Sequence, residues 1–219
     1  MDGSAGEHEI TFGLGELELQ GTLGIPPGAT GLVLFVHGSG SSRFSWRNRY
    51  VAEAIRDAGL GTLLFDLLSP DEERSDQITG ELRFDIDLLT RRVLGVTASL
   101  RTDEKTRDLA LGYFGASTGA AAALAAAAQT EGIGAVVSRG GRPDLADSLL
   151  GQVRAPTLLI VGGNDEVVIQ LNRQAFARLQ SVKDMKIIPG ATHLFEERGA
   201  LEEVARLAAR WFGKYLAGA

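Results

Sequence analysis

Short apolar runs and stretches of helical period alternate along most of this 219-residue chain. Near the start the pattern is different. Polar and apolar positions alternate over residues 8–12 and 16–24 around a glycine-containing turn, which predicts an antiparallel hairpin. After Pro26-Pro27-Gly28 the rhythm changes. Residues 32–36 read as a strand buried on both faces, 46–58 as a helix closed by Gly59, and 61–65 as the next strand. Leu82, Ile86, Leu89, Val93, Val96 and Leu100 recur at helical spacing on one face. Four more strands are expected at 109–114, 134–137, 157–161 and 185–188, separated by helical stretches near 117–129, 144–150 and 171–179. Leu201, Val204, Ala208, Trp211 and Tyr215 give a final helix its core-facing stripe.

Strands that alternate with helices imply a mainly parallel sheet covered on both faces. With right-handed crossovers and an antiparallel N-terminal edge, the expected fold is a three-layer α/β/α sandwich forming one domain over residues 1–219. Fewer than twenty residues separate Ser138 from Thr157, room for a short helix but not for a helical cap domain. The other sizeable connection, 67–81, is polar and acidic. Ligand sites in such sheets lie at the carboxyl ends of the strands, and here that edge is expected to face solvent.

Composition removes several functions. The chain carries 22 basic and 28 acidic residues, a net charge of −6, and no basic tract, which argues against a nucleic-acid partner. The lack of cysteine excludes disulfides and thiolate chemistry. The longest apolar run, 119–128, is too short and too weakly hydrophobic to span a bilayer, and no basic-then-apolar segment opens the chain. The expectation is a soluble cytoplasmic protein, monomer or homodimer, without a membrane partner. No H-x-x-H, carboxylate cluster or Walker-A lysine is present, and Gly38-Ser39-Gly40 runs on into Ser41-Ser42-Arg43 rather than a dinucleotide fingerprint. Neither a metal nor a cofactor is expected.

Gly115-Ala116-Ser117-Thr118-Gly119 falls where a predicted strand meets an alanine-rich helix. A G-x-S-x-G at that junction forms a tight, strained turn that lifts a serine hydroxyl above the sheet at the positive end of a helix. Such a hydroxyl needs a base, and the base needs an anion to fix its tautomer. Of three histidines, His8 lies in the N-terminal strand and His37 is expected to brace the loop that contains it. His193, in the loop Gly190-Ala191-Thr192-His193 after the last strand, is left as the general base. Asp165, in the turn Gly162-Gly163-Asn164-Asp165 after the penultimate strand, is the expected orienting carboxylate, with Glu166 as its nearest rival. Oxyanion donors are expected from the backbone amides of Thr118 and Ser39. Arg43, Trp46, Arg139 and Phe195 are candidates for binding substrate. Both aromatics also fit as ordinary core residues, and either arginine fits as the partner of a carboxylate such as Asp66. An arginine beside Gly140-Gly141 suits the capture of an acidic ester or lactone.

Val36-His37-Gly38-Ser39-Gly40, the G-A-S-T-G turn, Gly162-Gly163-Asn164-Asp165 and Gly190-Ala191-Thr192-His193 resemble, in order, the motifs of the α/β-hydrolase superfamily. With no cap, the chain is most similar to the dienelactone hydrolase-like branch. The resemblance runs from about Leu19 to Leu216 and implies a Ser117–His193–Asp165 triad in a serine hydrolase acting on small esters. Lactones and thioesters would use the same machinery. Dienelactone hydrolase itself uses a cysteine nucleophile, which this chain lacks, so dienelactone is not the expected substrate. Two other classes compete: a hydrolase fold with a silent site that serves as a binding or partner protein, and a cofactor-free perhydrolase.

Overall fold

A computed structural model describes residues 6–217. The opening alternation forms a hairpin of β1 (His8–Leu14) and β2 (Leu17–Gly24), turned at Gly15. Phe12, Leu19 and Leu23 face the core while Thr11 and Glu18 face water. There follow β3 (Gly31–Val36), α1 (Trp46–Asp57), β4 (Gly61–Phe65), α2 (Pro70–Thr79), α3 (Ile86–Thr102) and β5 (Ala110–Ala116). The second half comprises α4 (Thr118–Gln129), β6 (Ile133–Arg139), β7 (Thr157–Gly162), α5 (Glu166–Arg178), β8 (Lys183–Ile188) and α6 (Ala200–Leu216).

The strands make one sheet in the order β1-β2-β4-β3-β5-β6-β7-β8. β1–β2 and β2–β4 pair antiparallel, and every other pair is parallel. β3, β4 and β7 are buried at every position, as strands covered on both faces must be. Leu89, Val93, Val96 and Leu100 of α3 join the alanines of α4 in one apolar layer. Val51 and Ile55 of α1 join Leu201, Val204 and Phe212 of α6 in the other. The expected three-layer sandwich with its antiparallel edge is therefore the observed fold.

Alanine decides how closely α4 lies. All residues from Thr118 to Ala127 are buried, so the helix is enclosed around its whole circumference and methyl-sized side chains set its distance from the sheet. A different close approach seats the end of α6 on the amino-terminal side of the sheet. A Cβ at Gly31, Gly112 or Gly134 would lie 2.7, 2.9 or 2.6 Å from Leu216, Phe212 or Leu216 respectively. Thr30 Oγ1 also donates to the Leu216 carbonyl at 3.2 Å.

Four local elements differ from the sequence pattern. The acidic 67–81 connection contains α2, whose Ser69 and Glu72 form a capping box with Pro70 in the first turn. Only Asp76 of that helix is buried, so no apolar stripe announced it. Leu82 belongs to a separate 3-10 turn, Leu82–Phe84, because the Asp85 side chain accepts from the Leu88 amide and starts α3 afresh. Between β6 and β7 stand 3-10 turns, Pro143–Gln152, broken at Ala146, in place of the α-helix expected there and with no cap domain. The helix α5 begins at Glu166, ahead of the periodic stretch near 171–179.

Replacing Ala123 by leucine inserts three carbons into the enclosed layer. The expected cost is about 1–3 kcal/mol, read as a lower urea midpoint. An unchanged midpoint would show that α4 has slack.

Candidate active site

Ser117 stands between β5 and α4 with φ of 51° and ψ of −122°, a conformation that side-chain-bearing residues seldom adopt. Its flanks admit nothing larger than hydrogen. A Cβ on Gly115 would collide with Ala120 Cα, and one on Gly119 with the carbonyl oxygens of Val36 and His37. The turn is tied on both sides, since the Ser117 amide donates to the Arg139 carbonyl at 3.2 Å and its own carbonyl accepts from the Arg142 amide at 3.1 Å.

The histidine and the acid come from adjacent loops stitched to each other. The Gly163 amide donates to Ile188 O at 2.8 Å, the Asn164 amide to Ala191 O at 2.9 Å, and the Asn164 side chain to Gly190 O at 2.9 Å. Within the histidine loop, Glu197 accepts from the Thr192 hydroxyl at 2.6 Å and from its amide at 3.1 Å. His193 thereby places Nδ1 2.6 Å from Asp165 Oδ2 and Nε2 3.3 Å from Ser117 Oγ. With the Nδ1 proton donated to the carboxylate, Nε2 keeps its lone pair toward the serine. The structure brings Ser117, His193 and Asp165 together in the order expected, and Glu166 stays out of this chain of contacts.

Other expectations fare differently. The Thr118 amide sits at the first position of α4, where no intrahelical acceptor exists. The Ser39 amide, expected to face the oxyanion, instead donates to Thr118 Oγ1 at 2.9 Å. The cause is the close approach of Gly38 to the turn, which sets the loop against the threonine hydroxyl. His37 does brace this loop: Nδ1 bonds the Gly38 carbonyl at 2.9 Å, and Nε2 accepts from the Leu67 amide at 3.1 Å.

Of the four candidate binding residues, one lines the cleft. Arg43 pairs with Asp66 and, at 3.1 Å, with Glu9, so it ties the hairpin to β4 and takes the structural role foreseen as its alternative. Trp46 projects into solvent from the start of α1, outside the cleft lining. Phe195 is wholly buried with φ of 56° and anchors the histidine loop in the core. Arg139 lines a cavity of about 410 Å³ together with Arg47, Asn48, Ser117, His193 and Leu194. Burial pushes the Arg139 pKa down to about 10, with the charge of Arg47 adding to the effect. Asn48 was not anticipated. The signal was Ser45, whose side chain accepts from the Asn48 amide and so fixes which residues of the first turn of α1 face inward. A larger cavity, about 630 Å³, lies at the opposite edge of the sheet around Gln129, Val153 and Ser181, away from the serine and histidine.

The family model described as dienelactone hydrolase family matches residues 21–216. A crystal structure of a dienelactone hydrolase from Anabaena variabilis is 58% identical, with a TM-score of 0.95, and the match covers 96% of this chain and 98% of that one. The esterases Est1E from Butyrivibrio proteoclasticus and PF2001 from Pyrococcus furiosus share the fold at 15% identity, with TM-scores of 0.77 and 0.75. Those matches cover 95% and 96% of this chain and 99% and 92% of theirs. A Mycobacterium tuberculosis protein provisionally named a phosphoribosyl transferase is 54% identical over 213 residues, 97% of this chain and 47% of that protein. The chain thus spans about half the length of the curated relatives it matches.

The His37 geometry has a pH consequence. Burial holds its pKa below the ordinary value, so the folded ring stays neutral where the unfolded ring, near pH 6.5, takes up a proton. Below that pH the unfolded chain binds more protons, and stability falls as pH drops. Urea unfolding between pH 7.5 and 5 is expected to show a steeper loss in the wild type than in His37→Gln, by up to about one proton. Parallel profiles would refute this.

Proposed function

Because the chain belongs to the dienelactone hydrolase family, we propose that it is a serine esterase that cleaves carboxylic esters of small or compact acyl groups through an acyl-enzyme on Ser117. The observation that carries the reading is the continuous relay from Asp165 Oδ2 through His193 to Ser117 Oγ, at 2.6 and 3.3 Å. Ser117 Oγ forms a bond to the acyl carbon as its proton passes to His193 Nε2. Collapse of the tetrahedral intermediate breaks the carbon–oxygen bond to the alcohol, which leaves with that proton. Water then gives a proton to Nε2 and its oxygen to the acyl carbon, and the acid departs as Ser117 recovers its proton. Asp165 holds the ring in the tautomer that both halves need and stabilises the imidazolium. The Thr118 amide, at the positive end of α4, serves the developing oxyanion.

Lactones and thioesters pass through the same steps. The phosphoribosyl transfer named for the longer Mycobacterium relatives is assigned in this reading to the part of those proteins that the chain does not match.

Ser117→Ala is expected to remain folded and to lose roughly 10⁶-fold in turnover of p-nitrophenyl acetate, and Asp165→Asn about 10⁴-fold. A fluorophosphonate probe should label the wild type and not Ser117→Ala. An unlabelled wild type would favour the silent binding protein instead, and halide oxidation from peroxide and acetate would favour the perhydrolase.

The cleft, about 410 Å³, has room for a compact acyl group. Butyrate-length p-nitrophenyl esters should therefore be cleaved faster than palmitate. The reverse order, or activation at a lipid interface, would remove the compact-acyl reading.

A further inference from the structure

β8 closes one side of the sheet, and among the described residues no strand lies beyond it. Its inward backbone groups are taken by β7: the carbonyls of Val182 and Ile188 accept from the Thr157 and Gly163 amides, each at 2.8 Å. Backbone groups alternate in direction along a strand, so Asp184 and Lys186 also turn theirs toward β7. Lys183, Met185 and Ile187 therefore point their N–H and C=O groups outward. One of these is satisfied locally, the Met185 amide, which donates to Asp184 Oδ1 at 2.7 Å. A row of outward backbone groups is a template for a further strand.

The side chains of this edge select the strand that fits. Asp184 and Lys186 share one face, their Oδ2 and Nζ 2.9 Å apart and both about half exposed. Val182 on that face is 60% exposed, and Ile187 on the other 39%. Lys183 is no free charge, because the Phe176 and Leu179 carbonyls hold its ammonium at 2.7 and 2.6 Å. When a second copy of β8 runs antiparallel about Met185, residues 183, 185 and 187 meet the copy's 187, 185 and 183 as hydrogen-bonded pairs. Every outward group then has a partner. Asp184 falls opposite the copy's Lys186, and Lys186 opposite its Asp184, in the closer pairs where opposite charges stabilise. Val182 lies opposite the copy's Ile188, and Ile187 against the methylene stem of its Lys183. Centring the pairing on Lys183 or Ile187 loses both charge pairs, and centring it on Asp184 or Lys186 sets like charges face to face.

We propose that this edge binds a second copy of the chain, the two joined β8 to β8 about a two-fold axis at Met185. The charge pattern carries the choice of partner, since the strand is complementary to itself in this register alone. On pairing, Asp184 releases the Met185 amide to the copy's Met185 carbonyl and turns to Lys186 across the seam. One sheet then runs through both protomers. Because the joined strands are antiparallel, the two carboxyl edges, each with its Ser117 cleft, fall on opposite sides of the combined sheet.

Sedimentation of the full chain over a hundredfold range of concentration should show a dimer, weakened by high salt. Asp184→Lys sets like charges opposite each other and is expected to weaken dimerisation at least tenfold, as is Lys186→Asp. The double variant Asp184→Lys/Lys186→Asp restores the pattern with its signs exchanged and should recover most of the loss. Circular dichroism checks that each variant is folded. The chain has no cysteine, so Met185→Cys provides a single thiol. Hydrogen-bonded neighbours stand about 5.5 Å apart at Cα, within disulfide range, and diamide should link this variant into a covalent dimer. Val182→Cys, whose two copies stand at opposite ends of the seam, should not link. A wild type that stays monomeric throughout overturns the proposal. So does a dimer indifferent to the charge reversals, or one that links through Val182→Cys and not Met185→Cys, since either places the contact elsewhere. Should a charge reversal fail to fold, the wild-type sedimentation and the two cysteine variants decide.

Discussion

The architecture hangs on one steric constraint, the corner at which β5 becomes α4. Ser117 occupies a backbone conformation worth about 1–3 kcal/mol of strain, and it is held there because neither flank has space to relax. Gly119 lies directly beneath the Val36 and His37 carbonyls, so the same corner draws in the loop after β3. The Arg139 carbonyl closes on the Ser117 amide from the other neighbouring strand. Three consecutive strands of the sheet are thereby registered on one residue. The alanine composition of α4 follows from this, because a helix leaving so tight a corner runs pressed between sheet, α3 and the 143–152 turns.

The electrostatics of the cleft are divided between two regions. On one side the His193 imidazole and the Asp165 carboxylate form a self-contained pair, 2.6 Å apart, with loops cross-bonded by backbone amides. On the other, arginines outnumber their acids.

Much of this was legible in the chain because it is written in local patterns. The strands at 32–36, 61–65 and 157–161 are unbroken apolar runs, and the glycine turns before Asp165, His193 and around Ser117 name the strand ends that carry chemistry. What escaped the reading depends on partners distant in sequence. That Asp66 would take Arg43 rather than Arg139, leaving Arg139 with no acid among the described residues, is settled by strand order, which periodicity does not encode. The Ser39 amide was diverted by a hydroxyl 79 positions away. The helix α2 went unseen for a different reason: it is held by its caps and one buried aspartate, so its residues carry no apolar period.

The glycines under the end of α6 bear on how this unit can be joined to others. Gly31, Gly112 and Gly134 lie early in their strands, and Leu216 is pressed down upon two of them with its carbonyl bonded to Thr30. The end of α6 consequently lies at the side of the sheet opposite the edge that carries Ser117 and His193. A polypeptide continuing from that point, whether a second enzyme or an affinity tag, would start on the far side of the sheet. The mouth of the cleft would stay unobstructed, and a product released there would have to travel around the molecule to reach an appended active site.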